Sequence, residues 1–129
     1  MAHYLDTSAL TKLVVAEAES APLLAWLRAD REPVTCDLAR TELIRAVRRS
    51  APERILQARA VLDSLTLIDV TTAVFEQASR LDPLTLRSLD AIHLAAALDL
   101  GDDLDSIVTY DDRLAEAASF HGITVTAPS

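Results

Sequence analysis

Acidic residues stand where this sequence passes from a short apolar run into a helical pattern. Asp6 follows His3-Tyr4-Leu5, Asp37 follows Val34-Thr35-Cys36, and Asp111 with Asp112 follows Ile107–Tyr110. Asp90 lies in the first turn of a strongly apolar helical stretch that begins at Ser88. Any one of them is explained as a helix cap, because a carboxylate there accepts backbone N–H bonds and meets the positive end of the dipole, worth about 0.3–1 kcal/mol. Their conjunction says more. Carboxylates gathered in one low-dielectric cleft repel one another and raise some pKa values unless a cation sits between them. With no His or Cys cluster beside them the ligands would all be oxygen, which selects hard ions, Mg²⁺ or Mn²⁺.

Other chemistries find little support. The two glycines, Gly101 and Gly122, are far apart, so a phosphate-cradling glycine loop is excluded. A single cysteine, Cys36, removes disulfide frameworks and thiolate zinc sites. His3, His93 and His121 form no metal-binding pair by spacing. An aspartyl-phosphate enzyme would want a second Asp two residues after Asp6 and a lysine late in the chain. Position 8 is Ser, and the only lysine is Lys12.

The elements that must position these acids alternate between strand and helix patterns. Strands are expected at His3–Leu5, Pro33–Cys36, Thr66–Val70, Ser106–Tyr110 and Ile123–Val125. Helices are expected over 7–16, 20–30, Asp37 to about Arg49 with Asp37 as its cap, 53–64 after Pro52, 72–81, Ser88 (as cap) to about Leu100, and 112–121. Gly101 is expected to end the Ser88 helix. This order implies a mostly parallel sheet covered by helices on both faces, and ligands of such sheets bind beyond the carboxyl ends of the strands.

The chain has 129 residues, enough for one domain, and half of them are hydrophobic, enough for a core. No apolar run approaches the roughly 20 residues a membrane helix needs, and the amino terminus lacks a signal-peptide pattern, so a reducing, cytoplasmic setting without membrane association is expected. With 20 acidic against 12 basic residues the net charge is −8, which does not by itself favour nucleic acid. The densest acidic stretch, Gly101-Asp102-Asp103-Leu104-Asp105, lacks the arrangement of a calcium loop and reads as solvated surface. Trp26 and its neighbouring leucines read as core or subunit interface and not as a base-stacking platform, since aromatics, at 4% of the chain, are too few for stacking to carry nucleic-acid recognition. His93, three residues beyond Asp90, reads either as a hydrogen-bonded core residue or as a group that orients a carboxylate or contacts a ligand.

Four stretches taken in order carry a family resemblance. They are Tyr4-Leu5-Asp6-Thr7-Ser8-Ala9-Leu10 with Lys12-Leu13, Arg40-Thr41-Glu42-Leu43, Leu86-Arg87-Ser88-Leu89-Asp90-Ala91-Ile92-His93-Leu94-Ala95, and Thr109-Tyr110-Asp111. Over residues 1–129, as one domain, the chain resembles the PIN-domain ribonucleases, and among them the VapC toxins of prokaryotic toxin–antitoxin pairs. The resemblance implies a three-layer α/β/α fold with a mostly parallel central sheet. It implies a Mg²⁺- or Mn²⁺-dependent ribonuclease whose acidic site falls on Asp6, Glu42, Asp90 and Asp111, as metal ligands and catalytic residues, with Thr7 and Thr109 supporting them. Strand position alone would choose Asp37 over Glu42. The two lie about 140° apart around one helix, and the resemblance favours Glu42. Hydrolysis would leave a 3′-hydroxyl and a 5′-phosphate.

Arg45, Arg48 and Arg49, on the helix that carries Glu42, and Arg87, beside Asp90, could hold an RNA backbone, or they form a solvated face with local ion pairs. The resemblance further implies an RNA substrate, a cognate antitoxin protein and a homodimer, with the apolar helices near residues 7–30 as contact surface. The competing readings are a non-catalytic α/β interaction protein with an acidic pocket and an aspartyl-phosphate phosphatase-like enzyme.

Overall fold

The computed structural model describes residues 2–29 and 31–129. Met1 and Asp30 lie outside the described residues, and with Asp30 the last position of the expected 20–30 helix. Five strands form the sheet: β1 (Ala2–Leu5), β2 (Glu32–Cys36), β3 (Thr66–Ile68), β4 (Leu104–Val108) and β5 (Val125–Thr126). Their order is β3-β2-β1-β4-β5 and every pairing is parallel. Seven helices connect them: α1 (Thr7–Lys12), α2 (Ser20–Leu27), α3 (Leu38–Ser50), α4 (Ile55–Ser64), α5 (Thr72–Ser79), α6 (Ser88–Asp99) and α7 (Asp112–Phe120).

Side chains alternate across the sheet and build a core on each face. Tyr4, Val34, Cys36 and Ile107 pack with Val74 of α5, Leu94 of α6 and Leu114 of α7. Leu5 and Val108 pack the other way, with Leu10 of α1, Leu23 of α2, Leu43 and Val47 of α3, and Leu62 of α4. The result is the three-layer arrangement expected from the strand–helix alternation. The topology also fixes where a ligand can enter. The chain steps outward from β1 to β2 and β3, then returns to lay β4 on the opposite side of β1. The helices that follow β1 and β4 therefore diverge to opposite faces and leave a crevice above the carboxyl ends of those two strands.

Several element boundaries differ from the expectation, for local reasons. α1 stops at Lys12 because the Val14 N–H reaches back to the Thr11 carbonyl in a tighter turn, and the Ser20 hydroxyl then ties Val15 to Glu17 to start α2. β4 begins at Leu104 and ends at Val108 because β1, its partner, runs only from Ala2 to Leu5. Thr109 and Tyr110 lie past the end of β4, with the Thr109 N–H still donating to the Thr126 carbonyl of β5 at 3.2 Å. β3 ends at Ile68, opposite Cys36, and β5 is displaced to Val125–Thr126. The caps expected at Asp37 and Ser88 do not form. The Asp37 carboxylate accepts from the Arg40 guanidinium at 3.2 Å, while Ser88 lies inside the first turn with Arg87 in the cap position. Gly101 does end α6, at φ 56°, in the left-handed region that suits glycine.

Candidate active site

Asp6 leaves β1 directly into α1, so its carboxylate sits over the crevice and is buried to 3% exposure. One oxygen, Oδ1, accepts from the Ala9 N–H at 3.1 Å and from the Ser8 hydroxyl at 2.7 Å. The other, Oδ2, accepts from the Thr109 hydroxyl at 2.6 Å. Burial raises the Asp6 pKa, and the bonds from Thr109 and Ser8 only partly restrain that rise.

Thr109 fastens the second acid to the first. Its hydroxyl donates to Asp6 and accepts the Asp111 N–H at 3.1 Å. Asp111 then caps α7, its Oδ1 accepting from the N–H groups of Arg113 (2.9 Å) and Leu114 (3.0 Å). Ser8 closes the same circle by accepting the Tyr110 N–H at 3.0 Å. The ends of β1 and β4 are thus laced together by two hydroxyls, which fixes the spacing of the two carboxylates they carry.

Asp90 arrives in the first turn of α6, which packs on the same face of the sheet as α7. It lines a cleft of about 360 Å³ with Arg87, Tyr110, Asp111, Asp112 and Arg113. Its pKa is raised, first by burial and then by the negative charge of Asp111, with Asp6 and Glu42 adding to it against His93. Four acids from four separate stretches therefore share one electrostatic neighbourhood.

Glu42 reaches that neighbourhood from α3. Its Oε1 accepts from the Thr7 hydroxyl at 2.8 Å and from His93 Nε2. His93 is 1% exposed, and its Nδ1 lies 2.7 Å from the Tyr4 hydroxyl. Burial alone would lower the imidazole pKa. Its contacts with the Cys36 thiol and the Glu42 carboxylate outweigh burial and raise it to about 10. Glu42 answers in the opposite sense, held below its ordinary value by His93 and Thr7 in spite of burial. His93 is thus both a core residue and a carboxylate-orienting one, so the two readings of it are compatible.

Asp37, the acid that strand position alone would choose, turns outward to Arg40. Asp112 is exposed on the rim of the cleft. Arg45 and Arg49 are exposed and follow Glu42 along its side of α3, whereas Arg48 is exposed a third of a turn away. Arg87 stands at the cleft itself. Two further residues, not among those expected from sequence, belong to the site: Ser8 as a carboxylate donor and Arg113 as a cationic wall of the cleft. The hydroxyl two places after Asp6 is a signal for the former, and the position two after Asp111 for the latter.

The donor set suits a hard divalent ion. It consists of carboxylate oxygens, and the Asp90 carboxyl is raised first by burial and then by the neighbouring acids. As the side chains stand, no three His, Cys, Asp or Glu groups among the described residues are close enough to hold a metal ion together.

The PIN domain family model matches residues 3–119. Two curated relatives from Mycobacterium tuberculosis cover nearly the whole chain. Ribonuclease VapC47 is 42% identical, over 97% of this chain and 96% of its own. Ribonuclease VapC46 is 44% identical, over 98% and 97%. The M. tuberculosis VapC20 structure, described as a sarcin–ricin loop cleaving toxin, superposes with a TM-score of 0.77 over 98% of this chain and 99% of that one, at 20% identity. The Rickettsia felis VapBC2 structure, bound to a DNA fragment from its promoter, reaches 0.70 at 15% identity over 100% of both chains. At such identities the structures speak for the fold alone, and the fold, the family model and the full-length relatives agree: the chain belongs to the PIN-domain family and, within it, to the VapC ribonucleases.

Proposed function

We propose that this chain is the toxin of a toxin–antitoxin pair and a Mg²⁺- or Mn²⁺-dependent ribonuclease that hydrolyses RNA phosphodiester bonds. The observation that carries the reading is the convergence of acids on one crevice: Asp90 and Asp111 line one cleft, and the Thr109 hydroxyl joins Asp111 to the buried Asp6. Capping and the His93 pair account for Asp6, Asp111 and Glu42 one by one, but not for their meeting Asp90 at one crevice, and an oxygen-only set makes sense as a receptor for a hard cation.

Asp6, Glu42, Asp90 and Asp111 would hold the ion. When bound, it supplies positive charge for the scissile phosphate and acidifies a coordinated water. The remaining work falls to the chain. Thr109 and Ser8 hold the Asp6 carboxylate still, Thr7 and His93 hold Glu42, and the α7 amino terminus holds Asp111. Arg87, Arg45, Arg48 and Arg49 would bind the RNA backbone, with Arg87 nearest the reacting phosphate.

A cytoplasmic setting, a cognate antitoxin and a homodimer complete the reading. No helix among the described residues is long and apolar enough to cross a membrane. The decisive experiment incubates purified protein with RNA and Mn²⁺ and sequences the new 5′-phosphate ends. Cleavage should vanish in Asp6→Ala and Asp90→Ala. Cleavage that persists in those variants, or wild-type protein that never cleaves, defeats the proposal.

A further inference from the structure

One wall of the acidic cleft has a second side. Arg113 lines the cleft of Asp90 and Asp111, and it also lines a groove of about 640 Å³ that runs away from it. The far wall of that groove is the segment joining α5 to α6, through Pro83, Thr85 and Leu86. The near wall is α7, through Arg113, Glu116 and Phe120. These three lie at i, i+3 and i+7 and so form one stripe along the helix, starting at the end that Asp111 caps and finishing about 10 Å further on. Phe120 is 70% exposed, an aromatic side chain the core does not use.

The two walls of the groove are tied together at the carboxyl end of α7. His121 Nε2 donates to the Asp82 carbonyl at 2.8 Å, and the Leu86 N–H donates to the Pro83 carbonyl at 3.0 Å, so the connecting segment is fastened to the end of α7. The slot is thus preformed, with Arg113 at the acid end.

We infer that this groove is a nucleobase subsite: the unpaired base next to the scissile phosphate lies against Phe120 while Glu116 accepts from its N–H edge and Arg113 meets the adjoining phosphate. The inference rests on the ribonuclease reading above. Three chemistries occur in this order along the stripe, a cation, a hydrogen-bond acceptor and a π-face, and a nucleotide presents the complement of all three. Single-stranded nucleic acid is held by stacking of this kind and by backbone charge.

The test uses an oligoribonucleotide that the wild-type protein cleaves. Each nucleotide flanking the cut is replaced in turn by an abasic ribose, and kcat/KM is measured for wild type, Phe120→Ala and Glu116→Gln. At one flanking position base removal should lower the wild-type value about tenfold. Phe120→Ala should lose about as much on the intact oligonucleotide and nothing further on the abasic one. Glu116→Gln should change which base is preferred at that position. An unchanged base profile in both variants overturns the subsite, as does a change in sedimentation or antitoxin binding without one. Wild-type protein that cleaves no RNA overturns the ribonuclease reading and the subsite together, whereas cleavage with an unaltered profile overturns the subsite alone.

Discussion

Two groups of acids occupy the two ends of β4, and they behave differently. At its amino end, Asp102, Asp103 and Asp105 crowd within four residues of chain, all exposed, with Asp105 meeting His3 at 3.6 Å. At its carboxyl end, Asp6, Glu42, Asp90 and Asp111 come from stretches up to about a hundred residues apart. There each carboxylate is either fastened by a donor or raised by its neighbours. Density in sequence made a solvated loop, in which water separates the charges. Convergence over a topological switch point made a cleft, in which it cannot.

The sharpest way to break that contrast is to neutralise each end. Asp90→Asn should lower single-turnover RNA cleavage by at least about a hundredfold, while Asp102→Asn with Asp103→Asn should leave it unchanged. A loop variant that lost activity would abolish the distinction. Mn²⁺ should separate the two ends thermally. At a hundredfold excess over Kd a ligand of the folded state adds about 2.7 kcal/mol, which for a domain of this size raises Tm by roughly 5–15 °C. The shift should survive the loop substitutions and disappear in Asp90→Ala, as followed by calorimetry.

The buried imidazole gives a pH signature that the loop cannot. Because His93 is raised to about 10 from 6.5, the folded chain binds the proton more tightly than the unfolded one. Its contribution is therefore complete below about pH 6.5 and is lost as pH rises towards 10. Urea denaturation in the presence of chelator should show that decline in wild type and a flatter profile in His93→Gln. A parallel profile in the variant would assign the decline to other groups.

The smallest expected effect runs the other way. Asp90 is raised, so its charge opposes folding above the raised value and that opposition fades as pH falls through it. Without metal, Asp90→Asn should then be neutral or stabilising by no more than about 1 kcal/mol at pH 7. A clear loss of stability would make Asp90 chiefly structural.

Much of this architecture is legible in the residues themselves. The alternation of strands and helices implies the layers, and the Asp6-Thr7-Ser8 and Thr109-Tyr110-Asp111 stretches mark the crevice. Local capping is less legible. Asp37 and Ser88 have the residue types that caps prefer, yet Asp37 has αR geometry and an arginine within reach, and Ser88 lies one position inside the helix. Strand ends are hidden for a different reason, because a strand stops where its partner stops. β4 ends at Val108 for the sake of Leu5, which sits a hundred residues earlier in the chain.

The sequence by itself determined the hydrophobic periodicity, the family motifs and the oxygen-only chemistry of the acids, since these depend on residue type and near neighbours. Only the tertiary structure decided that Glu42 faces Thr7 and His93 while Asp37 faces Arg40, that one hydroxyl on Thr109 binds two acids together, and that Arg113 divides two clefts. Those outcomes depend on which faces of α3, α6 and α7 are buried against a common sheet. That is settled by the packing of the whole core, not by any local stretch of it.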